Sequence, residues 1–322
     1  MRSFRKDLLK YQRHLHGLEP FRSDQLLDLT KHPNVMHLTG SFIYHKRKFN
    51  IYEHHSGVPL SALFREDNRS LPLSLGGLLL GVCGLCSVLE ELRGLQVTSA
   101  GVAYWAWAFD SSNIFYRSSS TSLFDGFAFQ NLNTDSERLP FSMYEPPERS
   151  LRRPVVDEVF DCMRMDVWAL GCLLSDLIGY TVLGRHELAK FHAELRSNRG
   201  LTAFHRSGGP SSSTVRWLAR LEATRSSIHR KLVQIIGRML SIDPSDRPPF
   251  REVTIALRSA ALWSILLELQ ELLSSKGNLS THHQAALDRQ KFLQAVQRFC
   301  DHASNNMYPE QSHVLETLTI FQ

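Results

Sequence analysis

The sequence predicts an α+β fold that is mostly helical, with its strands confined to the N-terminal half. Three observations predict it. Residues 73–94 and 166–180 are apolar nearly all round, as in helices at the centre of a large domain. Met36–Tyr44 and Lys48–Glu53 read as two strands, joined by a basic turn at His45-Lys46-Arg47-Lys48. From Val215 to Leu240, and again from Phe250 to Leu273, apolar residues recur at helical spacing.

The remaining elements follow from the same signals. Residues 1–30 read as helical, with Leu8, Leu9, Tyr11, Leu15 and Leu18, then Leu26, Leu27 and Leu29 beyond Pro20. Leu60–Phe64 makes a short helix. Between residues 104 and 129, β-rich patches (Tyr104–Phe109, Ile114–Tyr116, Leu123–Phe129) are broken by serine turns. Residues 195–214, with Gly200, Gly208, Gly209, Pro210 and a run of serines, read as a flexible loop. A linker at Ser274–Asn278 leads to a last helical piece, His282–Ala303.

Composition bounds the function classes. The 322 residues are 43% apolar and 21% charged, enough to bury a full core and too apolar for wholesale disorder. The net charge of +5 is scattered, so no nucleic-acid partner is expected. Five cysteines, an odd number, argue against a disulfide framework and for a cytoplasmic or nuclear setting. Cys83 and Cys86 have dithiol spacing but lie in an apolar helical run, so packing cysteines are expected. No run of 18 apolar residues occurs, and no membrane span is expected. His54-His55 does not read as a metal site, because adjacent residues in a strand face opposite ways.

Three blocks carry the strongest signal. They are Tyr144-Glu145-Pro146-Pro147-Glu148, Asp166-Val167-Trp168-Ala169-Leu170-Gly171-Cys172-Leu173-Leu174, and Asp243-Pro244-Ser245-Asp246-Arg247-Pro248-Pro249-Phe250. In that order they resemble the structural ribs of a protein kinase C-terminal lobe, and the resemblance spans about residues 22–258. It implies a protein kinase-like fold with a reduced N-lobe at 1–56, a C-lobe at 57–258 and a helical extension at 259–322. His32-Pro33-Asn34-Val35 resembles the segment after the αC helix. Asn50–Gly57 resembles the strand entering the hinge, with Tyr52 as gatekeeper and Glu53 and His55 as hinge contacts to a nucleotide. By the same resemblance Glu148 ion-pairs with Arg247. Asp166 opens the central helix and caps the catalytic-loop backbone, and Trp168 packs beneath the activation segment.

The catalytic parts of that family are largely missing. Phosphoryl transfer needs a glycine loop, a strand lysine, a catalytic-loop base and metal ligands. No G-x-G-x-x-G occurs, and no V-A-I-K-type strand precedes His32. Ala106, Trp107 and Ala108 occupy the H-R-D positions, and a methyl cannot accept a proton. Asn113 survives, with Asp110 three residues before it. Asp125-Gly126-Phe127 stands for D-F-G with its last two residues exchanged. Asn113 and Asp125 are thus the vestigial candidates for a shared Mg²⁺; the other reading makes them a loop cap and a turn residue. Tyr104, Trp105, Trp107 and Phe109 read as an apolar plug of the old site.

The resemblance implies a catalytically inactive domain with no resident cofactor, acting as a scaffold or regulatory module on other proteins, an active kinase among them. The alternative is a nucleotide-binding pseudokinase, or an unorthodox Ser/Thr kinase using ATP, Mg²⁺, Asp125 and Asn113. Two further readings stay open: a piece of a longer kinase-like chain, and a helical binding module unrelated to kinases.

Overall fold

A computed structural model describes residues 32–36, 38–44, 47–52, 57–65, 74–95, 109–117, 126–129, 143–150, 158–197, 204–206, 209–224 and 227–275. Strands β1 (Leu38–Tyr44) and β2 (Arg47–Tyr52) pair antiparallel, with Phe42 opposite Phe49 and Tyr44 opposite Arg47. Arg47 and Lys48 thus belong to a strand and not to the turn expected over 45–48. Strand β3 (Val58–Pro59) runs into the single-turn helix α1 (Leu60–Leu63). Helix α2 (Leu75–Leu95) matches the apolar run read from the sequence. Strands β4 (Ile114–Arg117) and β5 (Gly126–Phe129) complete a three-stranded sheet in the order β3-β4-β5.

The chain then becomes helical: α3 (Pro147–Ser150), α4 (Glu158–Leu183), α5 (Arg185–Ser197), α6 (Ser212–Glu222), α7 (Ser227–Met239) and α8 (Phe250–Ser275). Two-residue strands β6 (His205–Arg206) and β7 (Gly209–Pro210) pair between α5 and α6. The α+β class is as expected.

Helix α4 is the axis of the helical lobe. Val167, Trp168, Leu170, Cys172, Leu173, Leu174, Leu177 and Ile178 are all buried, and α5, α6, α7 and α8 pack around them. Of the described helices, only its segment Arg164–Leu183 is long and apolar enough to cross a membrane, and that segment is mostly buried in protein. The helix begins at Glu158, so Asp166 lies two turns inside it rather than opening it. Residues 158–165 contain no Pro or Gly to stop it.

Two close approaches and one helix end depend on glycine. A Cβ on Gly179 of α4 would lie 2.1 Å from Trp217 Cζ2 of α6, and the indole Nε1–H donates to Ser175 Oγ at 3.1 Å. A Cβ on Gly84 of α2 would lie 2.4 Å from the Asn34 amide. Gly184 ends α4 in the left-handed conformation, φ +82°, which an L side chain resists.

The stretch read as a flexible loop holds more structure than expected. Helix α5 ends inside it, β6 and β7 form a bridge, and Ser211 caps α6 by accepting from Thr214 N–H at 3.0 Å. Val215–Leu240 divides into two helices at Ala223-Thr224, and α8 reaches Ser275 without a break at residue 258.

Candidate functional site

The candidate site comprises β3, β4 and β5, of which β5 packs on α2, the turn before β4, and the segment before α3, which is tied to α4. The turn is built from Phe109-Asp110-Ser111-Ser112-Asn113. Phe109 and Ile114 are buried and anchor its two ends. Asp110 closes it twice: its carbonyl accepts from Asn113 N–H at 2.9 Å, and its Oδ1 accepts from Ser112 N–H at 2.8 Å. An Asp side chain bonding two residues ahead is an ordinary turn device. Ser111 carbonyl accepts from Ser61 N–H at 2.8 Å, which ties the turn to α1.

The vestigial metal pair does not fit one ion. In the β4–β5 ladder Ile114 faces Phe129 and Arg117 faces Gly126. Asn113, which precedes Ile114, sits at the Phe129 end. Asp125 lies outside the described residues, but its peptide bond ties it to Gly126 at the opposite end. Four residues of strand separate the two ends, about 13 Å at ~3.3 Å per residue. Magnesium ligands lie about 2 Å from the ion. The expectation that Asn113 and Asp125 share Mg²⁺ is corrected by this register. The sequence that leaves β5 at the Asn113 end is Gln130-Asn131-Leu132-Asn133, which carries amides and no carboxylate. Strand order is the signal that the reading by motif missed.

Ala106, Trp107 and Ala108 at the catalytic-loop positions, and Glu53 and His55 at the hinge, also lie outside the described residues. Tyr52 ends β2.

The segment carrying Glu148 is held from below by charge. Arg247 is 1% exposed, and each of its five N–H groups meets an acceptor. Nη1 donates to Glu148 Oε1 and Nη2 to Glu148 Oε2, both at 2.7 Å. Nε donates to Ser241 carbonyl at 2.8 Å, Nη1 to Arg164 carbonyl at 2.8 Å, and Nη2 to Ile242 carbonyl at 3.4 Å. Arg164 returns the bond by donating to Arg247 carbonyl. The guanidinium also lies 5.0 Å from the centre of the Trp168 ring. A 3-10 turn over Pro244–Asp246, capped by Asp243, sets the carbonyls at this angle. The structure thus brings Glu148, Arg247 and Trp168 together.

Asp166 stands apart from that group. Burial pushes its carboxyl well above the usual range, and Oδ1 has no hydrogen-bond partner among the described residues. The loop it was expected to cap lies outside them. His205 of β6 meets the Trp168 ring edge-on, at 5.7 Å between centres. Burial depresses its pKa, against the opposing pull of Glu148.

A second polar group was not foreseen. Tyr144 donates its hydroxyl to Asp176 Oδ2 at 2.6 Å, and His192 of α5 meets the same oxygen through Nε2 at 2.9 Å. All three residues are buried. Burial, then the charges of Asp176 and Asp110, push the Tyr144 phenol well above its ordinary value. The group fastens the segment before α3 to α4 and α5. Its sequence signal was the buried face Leu188, Phe191, His192, Leu195 at helical spacing.

His32 and Asn34 join the remnant of the small lobe to this site. His32 Nδ1 accepts from Asn34 N–H at 3.0 Å, so Nε2 carries the proton and donates to Ser87 Oγ at 2.9 Å. Asn34 Nδ2 donates to Phe127 carbonyl of β5 at 2.9 Å.

The fold is kinase-like. The hinge strand, small sheet and long buried helix, with the Glu148–Arg247 pair beneath, are the parts the motifs imply, in the same order. Solved structures of similar arrangement include two variants of the PknI kinase domain of Mycobacterium tuberculosis. They are 14% and 16% identical, both with TM-score 0.44, and cover 76% of this chain and 80% and 79% of theirs. Another is the pseudokinase domain of BIR2, described as an immune regulator of the RLK/Pelle family. It is 18% identical, with TM-score 0.45, over 82% of this chain and 72% of that one. At these values the likeness concerns the course of the chain and carries no argument about activity. No protein-family model matches the chain, and no curated protein matches it.

Proposed function

We propose that the chain is a catalytically inactive kinase-like module that works by holding other proteins rather than by transferring phosphate. The observation that carries this reading is a contrast inside one site. The supporting frame is complete, with every donor of Arg247 used, whereas the groups that would do chemistry are dispersed. Asp110 is engaged in its own turn, Asn113 and Gly126 (the residue after Asp125) lie at opposite ends of a hairpin, and by the resemblance Ala108 takes the position of the base. Transfer of a phosphoryl group is almost entirely positioning and charge stabilisation, so dispersed ligands abolish it. Partners of such a module are folded proteins, an active kinase among them.

The test is a titration of the purified chain with ATP, with and without Mg²⁺ or Mn²⁺, followed by melting and by transfer of labelled phosphate. The expected result is no metal-dependent shift and no transfer. A ligand present at 100 times its dissociation constant adds about 2.7 kcal/mol of stability, a shift of several degrees. A metal-dependent shift lost in Asp125→Ala would overturn both the reading and the register argument.

A further inference from the structure

Helix α8 has two apolar sides, and only one has a described neighbour. Its inner side lies on α2: a Cβ on Gly76 would meet Ile265 Cγ1 at 2.7 Å, and Glu268 Oε1 accepts from Gly76 N–H at 3.2 Å. Its outer side carries Ile255 at 40%, Trp263 at 62% and Leu267 at 43% exposure. They lie eight and four residues apart, so they form one stripe along the helix. From Ala260 to Leu273 the sequence is apolar nearly all round, a pattern that belongs to a helix covered on both sides.

The chain runs on past Ser275, outside the described residues, and its sequence suits the stripe. Lys276-Gly277-Asn278-Leu279-Ser280-Thr281 is of the length and composition that connects two antiparallel helices. From His282 to Ala303, Ala285, Phe292, Val296, Phe299 and Ala303 recur at helical spacing, while Gln290, Lys291, Gln294, Gln297, Arg298 and Asp301 fill the other side. A helix over that stretch is about 33 Å long. Folded back from a turn centred near Asn278, it would set Trp263 against the region of Leu293–Val296 and Ile255 near Phe299–Ala303.

We propose that residues 282–303 fold back as an amphipathic helix on the outer stripe of α8, closing an intramolecular helical hairpin over Trp263 and Leu267. The test uses the full chain carrying Ser259→Cys and Phe299→Cys, positions on the two facing sides that the return register brings together. Mild oxidation is expected to give an intramolecular disulfide whose yield does not change on dilution. Adding Phe292→Asp and Val296→Asp is expected to abolish it while the melting of the helical lobe persists. Hydrogen exchange of Trp263→Ala supplies a second readout, with the expected loss of protection at residues 284–303. A cross-link that fades on dilution would show a second copy on the stripe and overturn the proposal. So would a failure to cross-link together with ready iodide quenching of Trp263.

Discussion

Replacing Arg247 by methionine should be the most costly single change in the helical lobe. The side chain is fully buried, and its removal strands the Glu148 carboxylate, itself only 14% exposed. Removing one partner of a buried ion pair costs about 3–5 kcal/mol. The carbonyls of Ser241, Arg164 and Ile242 lose donors as well, at about 1–3 kcal/mol for each that stays dry. Water reaching the exposed edge of Glu148 offsets part of this, so a loss of about 4–6 kcal/mol is expected. That is a large share of the ~5–15 kcal/mol that holds a domain folded. Urea denaturation of the full chain, followed by circular dichroism, measures it. The double variant Arg247→Met with Glu148→Leu should recover part of the loss, because no charge is then left buried alone. A loss under about 1 kcal/mol for Arg247→Met, or strictly additive losses in the double variant, would refute the claim that the pair is a buried, mutually dependent unit.

Three other outcomes follow from the geometry. Gly179→Ala puts a methyl into the Trp217 ring and should lower stability by at least the ~1–3 kcal/mol typical of overpacking, read from the same denaturation curves. Because burial depresses the His205 pKa below 6.5, the unfolded chain binds more protons there as pH falls. Stability from this group is therefore present above about pH 6.5 and lost as pH falls through the lowered folded value, and His205→Gln should flatten that slope in melts between pH 7 and 5. Burial pushes Cys83 up to about 12 and raises Cys86 as well, so iodoacetamide at pH 8 should leave both unlabelled in the folded chain and label them only in denaturant, as mass spectrometry would show.

The parts of the fold legible in the sequence were those signalled by short motif blocks and by apolar patterning. Glu148, Trp168 and Arg247 sit in short blocks that resemble the ribs of a protein kinase C-lobe, and it was that resemblance that implied their mutual placement. The packing role of Cys83 and Cys86 was legible from the pattern itself, as both lie on a helix apolar all round and are fully buried. The metal pair was misread because a motif match ignores direction along a strand. Asp125-Gly126-Phe127 looks like a metal loop, yet it enters β5 instead of leaving it. Helix α5 escaped notice because its buried face includes His192, and a histidine among glutamates and lysines reads as surface. The polar group it completes needs Tyr144 and Asp176 from two other segments, a coincidence in space that no spacing in sequence records.

The bond from Asn34 to the Phe127 carbonyl has a mechanical consequence. It stitches the turn that leads into β1 to strand β5, and the Gly84 contact beneath leaves that turn no room to slide. Ser87 and His32 lock the same turn from the other side. Two lobes joined in this way breathe as one body. Amide protons of β5 and of the turn should therefore exchange in a single cooperative opening, and a load applied to that turn would pass directly into the β3-β4-β5 sheet.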